Sequence, residues 1–121
     1  MFMFTDLSVL KLYSNMARHA SETQRVSAEN VSRAAEPGYK AKAVESFEDF
    51  VARTAVNQPG ESSAAAFKTL EANTPSAPNG NTVSLEQEIF KSAEASSQHA
   101  MALTVYSKSI DLLRLAIGRS R

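Results

Sequence analysis

Apolar positions recur at alternating intervals of three and four through the first third of the chain. Leu10, Tyr13, Ala17, Ala20, Gln24, Ser27, Val31 and Ala34 fall on this rhythm, with Gln24 and Ser27 as polar interruptions. Such spacing belongs to a coiled-coil seam and predicts one long helix over 5–35. Neither Gly nor Pro occurs before Glu36. Glu36-Pro37-Gly38 then stops the helix, because proline lacks an N–H and disfavours a helical residue before it. Alanine on the seam lets another helix come close but buries little area. Leu12, Met16 and Val26 lie off the seam, where a simple hairpin leaves them without partners.

The last third carries a second rhythm. Leu103, Tyr106, Ile110, Leu113 and Ile117 recur at 3, 4, 3 and 4, and all are apolar. Ser84 is a suitable N-cap, with Gln87 three residues on as a capping box requires. Glu86 and Glu88 complement the positive end of the helix dipole, and Gly118 is a terminator. These signals predict a helix over 84–118, with Leu112 and Leu115 off its seam.

Between the two helices the pattern changes. Val44, Phe47 and Val51 stand at helical spacing and predict a short amphipathic helix over 43–54. Residues 57–63 read as a loop and 67–74 as a strand. Asn79-Gly80 is a strong turn signal, and Thr82-Val83 begins a second strand that would close a small hairpin. The chain therefore divides into an N-terminal helix (1–38), an irregular middle (39–83) and a C-terminal helix (84–121). The predicted fold is mainly α: two long terminal helices in an antiparallel coiled-coil hairpin around a small irregular or β-hairpin middle. A two-helix hairpin with so much Ala and Ser has little core for its surface, so neighbouring copies are expected to complete it.

Composition narrows the function. Thirteen Lys and Arg balance thirteen Asp and Glu, which argues against nucleic acid as a partner, since duplex binders carry a basic excess. The chain has no cysteine, which excludes disulfides, thiolate metal sites and cysteine nucleophiles. No stretch approaches the roughly 20 apolar residues of a membrane span. The first residues are apolar but hold Asp6 and lack a basic start, so they read as a poor signal peptide. Phe2, Met3 and Phe4 read as an export-recognition or assembly-contact segment, or as apolar residues before the helix cap.

No catalytic constellation is present. His19 and His99 are the only histidines; one such pair, without cysteine or an evident carboxylate partner, falls short of a catalytic metal site. Glu86, Glu88 and Glu94 are explained as acids near a helix start. No nucleophile elbow and no phosphate loop occur. The expectation is a non-enzymatic protein without cofactor or metal.

Three segments carry a resemblance. The first is Asn30-Val31-Ser32-Arg33-Ala34-Ala35-Glu36-Pro37-Gly38-Tyr39-Lys40, and the second Asn79-Gly80-Asn81-Thr82-Val83-Ser84-Leu85-Glu86-Gln87-Glu88. With the C-terminal Leu112-Leu113-Arg114-Leu115-Ala116-Ile117, they resemble the signature of flagellar basal-body rod proteins, in particular the FlgB family of the proximal rod. Asn30, Pro37, Gly38, Tyr39, Asn79, Gly80, Asn81 and Leu85 match that pattern. Arg33 departs from it, standing where the family usually has a second Asn, and Ala35-Glu36 replaces the usual Asp-Thr. The resemblance implies a structural subunit of the periplasmic rod that transmits torque and is exported by the flagellar type III apparatus without a cleaved signal. Its partners would be other copies of itself, other rod proteins, and the export gate and membrane-ring base. A small helical adaptor or secretion chaperone of the same export system is the alternative, because amphipathic helices also grip partner helices.

Overall fold

The computed structural model describes residues 2–57 and 66–119, with side chains over 8–55 and 66–118. The predicted loop over 57–63 therefore lies outside the described residues except for Asn57, and so do the side chains of Phe2, Met3 and Phe4. Five elements follow in order: α1 (Phe2–Ser32), β1 (Lys42–Val44), α2 (Phe47–Asn57), β2 (Thr69–Glu71) and α3 (Leu85–Arg119). At about 1.5 Å per residue, α1 and α3 are about 46 and 52 Å long. They pack antiparallel along one another: Ser27 near the end of α1 meets Glu88 at the start of α3, while Ala17 and Leu103 line one groove. The predicted antiparallel hairpin of terminal helices is the observed architecture.

The ends of α1 show how local chemistry sets its length. Regular helix stops at Ser32, three residues before the predicted end. There the Arg33 N–H is shared between the carbonyls of Glu29 and Asn30, and tighter i→i+3 bonds follow from Ala34 to Val31 and from Glu36 to Arg33. A tightened last turn is how a helix shortens before a proline that cannot continue it. For α3, the Ser84 hydroxyl accepts from the Gln87 N–H at 3.4 Å and its carbonyl from Glu88 at 2.9 Å. Ser84 is thus the N-cap that its position predicted.

The seam differs from the apolar rhythm. Ala17, Ala20 and Ser27 are buried on α1, but Val31 is 43% exposed and Asn30 takes the inward position at 0%. Leu10 and Tyr13 are half-buried. On α3 the buried positions are Glu88, Ala95 and Ala102, a seven-residue repeat that continues through half-buried Ser109. Tyr106, Ile110 and Leu113 flank it half-buried, whereas Leu103 and Ile117 are 47% and 54% exposed. The rhythm of large residues had pointed to one edge of the true contact face. Small residues occupy its centre, since only they let two helix backbones come close.

The middle segment corrects three expectations. Val44 lies in β1, not in a helix, so α2 begins at Phe47 with Ser46 as its cap; the Ser46 hydroxyl accepts from the Asp49 N–H at 3.1 Å. That start turns Phe50, 1% exposed, into the core and leaves Val51 37% exposed. Residues 69–71 form the expected strand, but it pairs with β1 in antiparallel register, Lys42 opposite Glu71, Ala43 opposite Leu70 and Val44 opposite Thr69. Thr82 and Val83 form no strand. Instead the Thr82 N–H donates to the Tyr39 carbonyl at 3.0 Å, and its hydroxyl accepts from the Ala41 N–H at 2.7 Å.

Beneath this layer sits an aromatic cluster. Phe50 packs on Phe67 at 4.5 Å between ring centroids, Phe47 stacks on Phe50, and the His19 ring meets both Phe47 and Phe67 edge-on. Val26 is buried at 3% exposure and lies beside Lys42 and Leu70 of the two-stranded sheet. The middle of the same chain covers it, so it needs no neighbouring copy.

Candidate functional site

Asn30 sits one turn from the end of α1, and its amide is fully consumed. Nδ2 donates to the Lys42 carbonyl at 2.8 Å and to Glu88 Oε1 at 3.1 Å. Oδ1 accepts from the Lys42 N–H and from the Tyr39 hydroxyl, both at 3.0 Å. One side chain therefore joins α1, the segment after its end, β1 and α3. Asn30 and Glu88 are buried, at 0% and 2% exposure, which is why the full set of partners matters. Burial also pushes the Tyr39 phenol above its ordinary value of 10, which keeps it a hydroxyl donor. The Arg33 guanidinium lies over the Tyr39 ring at 5.6 Å.

A second asparagine closes the other side. Asn81, 3% exposed, donates from Nδ2 to the carbonyls of Arg33 at 2.9 Å and Glu36 at 2.7 Å. Each of these carbonyls past the end of α1 also accepts one backbone N–H, from Glu36 and Tyr39 respectively, so Asn81 supplies the second donor to each. The last turn of α1 has no basic side chain, so an amide from 45 residues further along does the capping. Its Oδ1 accepts from the Val83 N–H at 2.8 Å, and its own N–H donates to Asn79 Oδ1 at 3.1 Å. These are two successive Asx turns.

The glycines bring the two loops together. Gly38 and Gly80 both take positive φ, 76° and 85°, where a side chain is strained. The Gly38 N–H donates to the Asn79 carbonyl at 2.9 Å. A Cβ on Gly80 would stand 3.3 Å from Gly38 Cα, while one on Gly38 would meet nothing. Gly80 is thus required by backbone contact as well as by φ. Pro37 is exposed at the turn. Of the eight motif residues, Leu85 alone stands apart from this junction, 50% exposed on the first turn of α3.

Glu88 is the component that the sequence did not reveal. Read as an acid at a helix start, it is 2% exposed. Its carbonyl accepts from the Ser27 hydroxyl at 2.9 Å and its Oε1 lies 3.8 Å from Lys91 Nζ. Oε2 is buried with no hydrogen-bond partner among the described residues. The available signal was the seven-residue step from Glu88 to Ala95 and Ala102.

A second polar cluster ties the middle to α1. Glu45, 5% exposed, receives Arg53 Nη2 at 2.5 Å and the Lys68 N–H at 2.9 Å. The Arg53 hydrogen bond, opposed by burial and helped by the Lys68 N–H, holds the Glu45 carboxyl below its ordinary 4.5. The Glu45 carbonyl lies 2.7 Å from His19 Nε2; a carbonyl only accepts, so Nε2 carries the hydrogen. His99 lines a groove between α1 and α3 with Arg18, Phe67 and Tyr106. Among the described residues no three His, Cys, Asp or Glu side chains gather as a metal site, and no helix is long and apolar enough to cross a membrane. The arrangement fastens segments together.

No known family model matches the chain, and no curated protein is significantly similar to it.

Proposed function

We propose that the protein is a structural subunit of the flagellar basal-body proximal rod, exported without a cleaved signal and assembled in the periplasm to transmit torque. One observation carries this reading. Asn30, Gly38, Tyr39, Asn79, Gly80 and Asn81, which bear the resemblance to rod proteins in two separate stretches of sequence, converge on a single junction. These six residues hold neighbouring segments to one another through hydrogen bonds and a close backbone approach, which is what a load-bearing part requires. Torque passed along two long helices would reach their shared end, where the polar lock resists shear between them. Apolar residues exposed on α3, among them Leu112 and Leu115, would meet other copies, other rod proteins, and the export gate or membrane-ring base.

Deletion of the gene tests the reading. Cells should lose motility and hold basal bodies arrested at the membrane ring, and a plasmid copy should restore both. Normal swimming of the deletion strain would dismiss the proposal. A soluble complex with an unfolded export client, with no incorporation into basal bodies, would favour the adaptor or chaperone instead.

A further inference from the structure

Away from α1, α3 carries a second stripe. Phe90, Met101 and Leu112 are 70%, 50% and 67% exposed. They stand at eleven-residue intervals; eleven residues make three helical turns with about 20° to spare, so the three side chains share one outer line. Between them on the same line lie exposed Glu94 and Lys108, neither with an ion-pair partner within the chain among the described residues. The order along the stripe is symmetric about its centre. Phe90 precedes Met101 by eleven residues and Leu112 follows it by eleven; Glu94 precedes it by seven and Lys108 follows it by seven.

Symmetry of this kind has a direct consequence for a second copy. Laid antiparallel, α3 of one protomer sets Met101 against the partner's Met101 on a two-fold axis. Each Phe90 then meets a Leu112, and each Glu94 meets a Lys108, twice over. A parallel pairing would instead set Glu94 on Glu94 and Lys108 on Lys108, which like charges oppose. Self-complementarity of one surface is the requirement for an isologous two-fold contact. We infer that the outer face of α3 is a homodimer interface, antiparallel and centred on Met101. The inference does not rest on the rod reading.

The contact is narrow, about 33 Å of helix between Phe90 and Leu112. A single helix-on-helix contact is small beside the ~1,600 Å² of a standard interface, so weak association, between about 1 μM and about 1 mM, is expected. The dimer would therefore be exchangeable and concentration-dependent.

The native chain has no cysteine, which makes cross-linking a clean test. Sedimentation of the full chain across that concentration range should show a monomer–dimer equilibrium. Under oxidation Met101→Cys should link to itself, and Phe90→Cys mixed with Leu112→Cys should give the mixed dimer in preference to either self-linked product. Each position is exposed, and circular dichroism checks that each variant keeps its helicity. Glu94→Lys and Lys108→Glu should each weaken the dimer about tenfold, and the double reversal should restore it. A monomer up to about 1 mM would overturn the inference. So would dominant Phe90–Phe90 or Leu112–Leu112 linking, or occupation of the stripe by an unrelated helix while the chain stays monomeric.

Discussion

Asn30 shows how much one side chain can hold. Its four hydrogen bonds all end on groups that have little other recourse: both polar groups of the Lys42 backbone, the Tyr39 hydroxyl and Glu88 Oε1. Asn30→Ala leaves these groups without their partner in a buried site and should cost about 3–4 kcal/mol in urea unfolding. The glycines give a graded comparison. Gly38→Ala meets only the cost of positive φ, about 1 kcal/mol, because a Cβ there touches nothing. Gly80→Ala adds the 3.3 Å approach to Gly38 Cα and should cost about twice as much. Equal losses in the two variants would show that the backbone contact between the loops is unimportant.

At the scale of elements, the end of α1 depends on a residue from another loop. Asn81→Ala removes the cap on the carbonyls of Arg33 and Glu36 and should cost about 1–2 kcal/mol. Hydrogen exchange should quicken in the last turn of α1 while the middle of α1 keeps its protection. The fastening of α2 to β1 and β2 is sensitive to acid. Because the Glu45 carboxyl titrates below its ordinary 4.5 in the folded chain, its stabilisation is complete above that value. It is lost as pH falls from there through the lower folded-state value. Glu45→Gln should reduce stability at pH 7 by about 2 kcal/mol and flatten the acid limb of the stability–pH curve. Elements are also where the sequence was most and least legible. The two long helices were plain, because nothing breaks them and Ser84 and Pro37 mark their ends. Strand β1 was hidden because Lys42-Ala43-Val44 is short and Val44 also fits a helical spacing with Phe47. Pairing of β1 with β2 spans a long separation that no local pattern encodes. Asn30 was missed as an interior position because the apolar rhythm placed its neighbour Val31 on the seam, and Glu88 because an acid in the first turn of a helix is already explained by the dipole.

The whole molecule has a thin core. Among the described residues, five of the seven buried apolar ones are alanines, with Val26 and Phe50 the exceptions. Hydrophobic burial scales with area, and alanine contributes little of it. Polar locks at Asn30, Asn81 and Glu45 therefore bear an unusual share of holding the middle against the helices. Such a molecule, fastened at one end of its hairpin and apolar along its outward faces, suits a part whose stability is completed by assembly. The most direct measurement is an immunoblot of purified hook–basal bodies with an antibody to this protein. For a rod subunit the expected result is a band that survives detergent and high-salt washing. Its absence from intact basal bodies, with all of the protein in the soluble fraction, would contradict it.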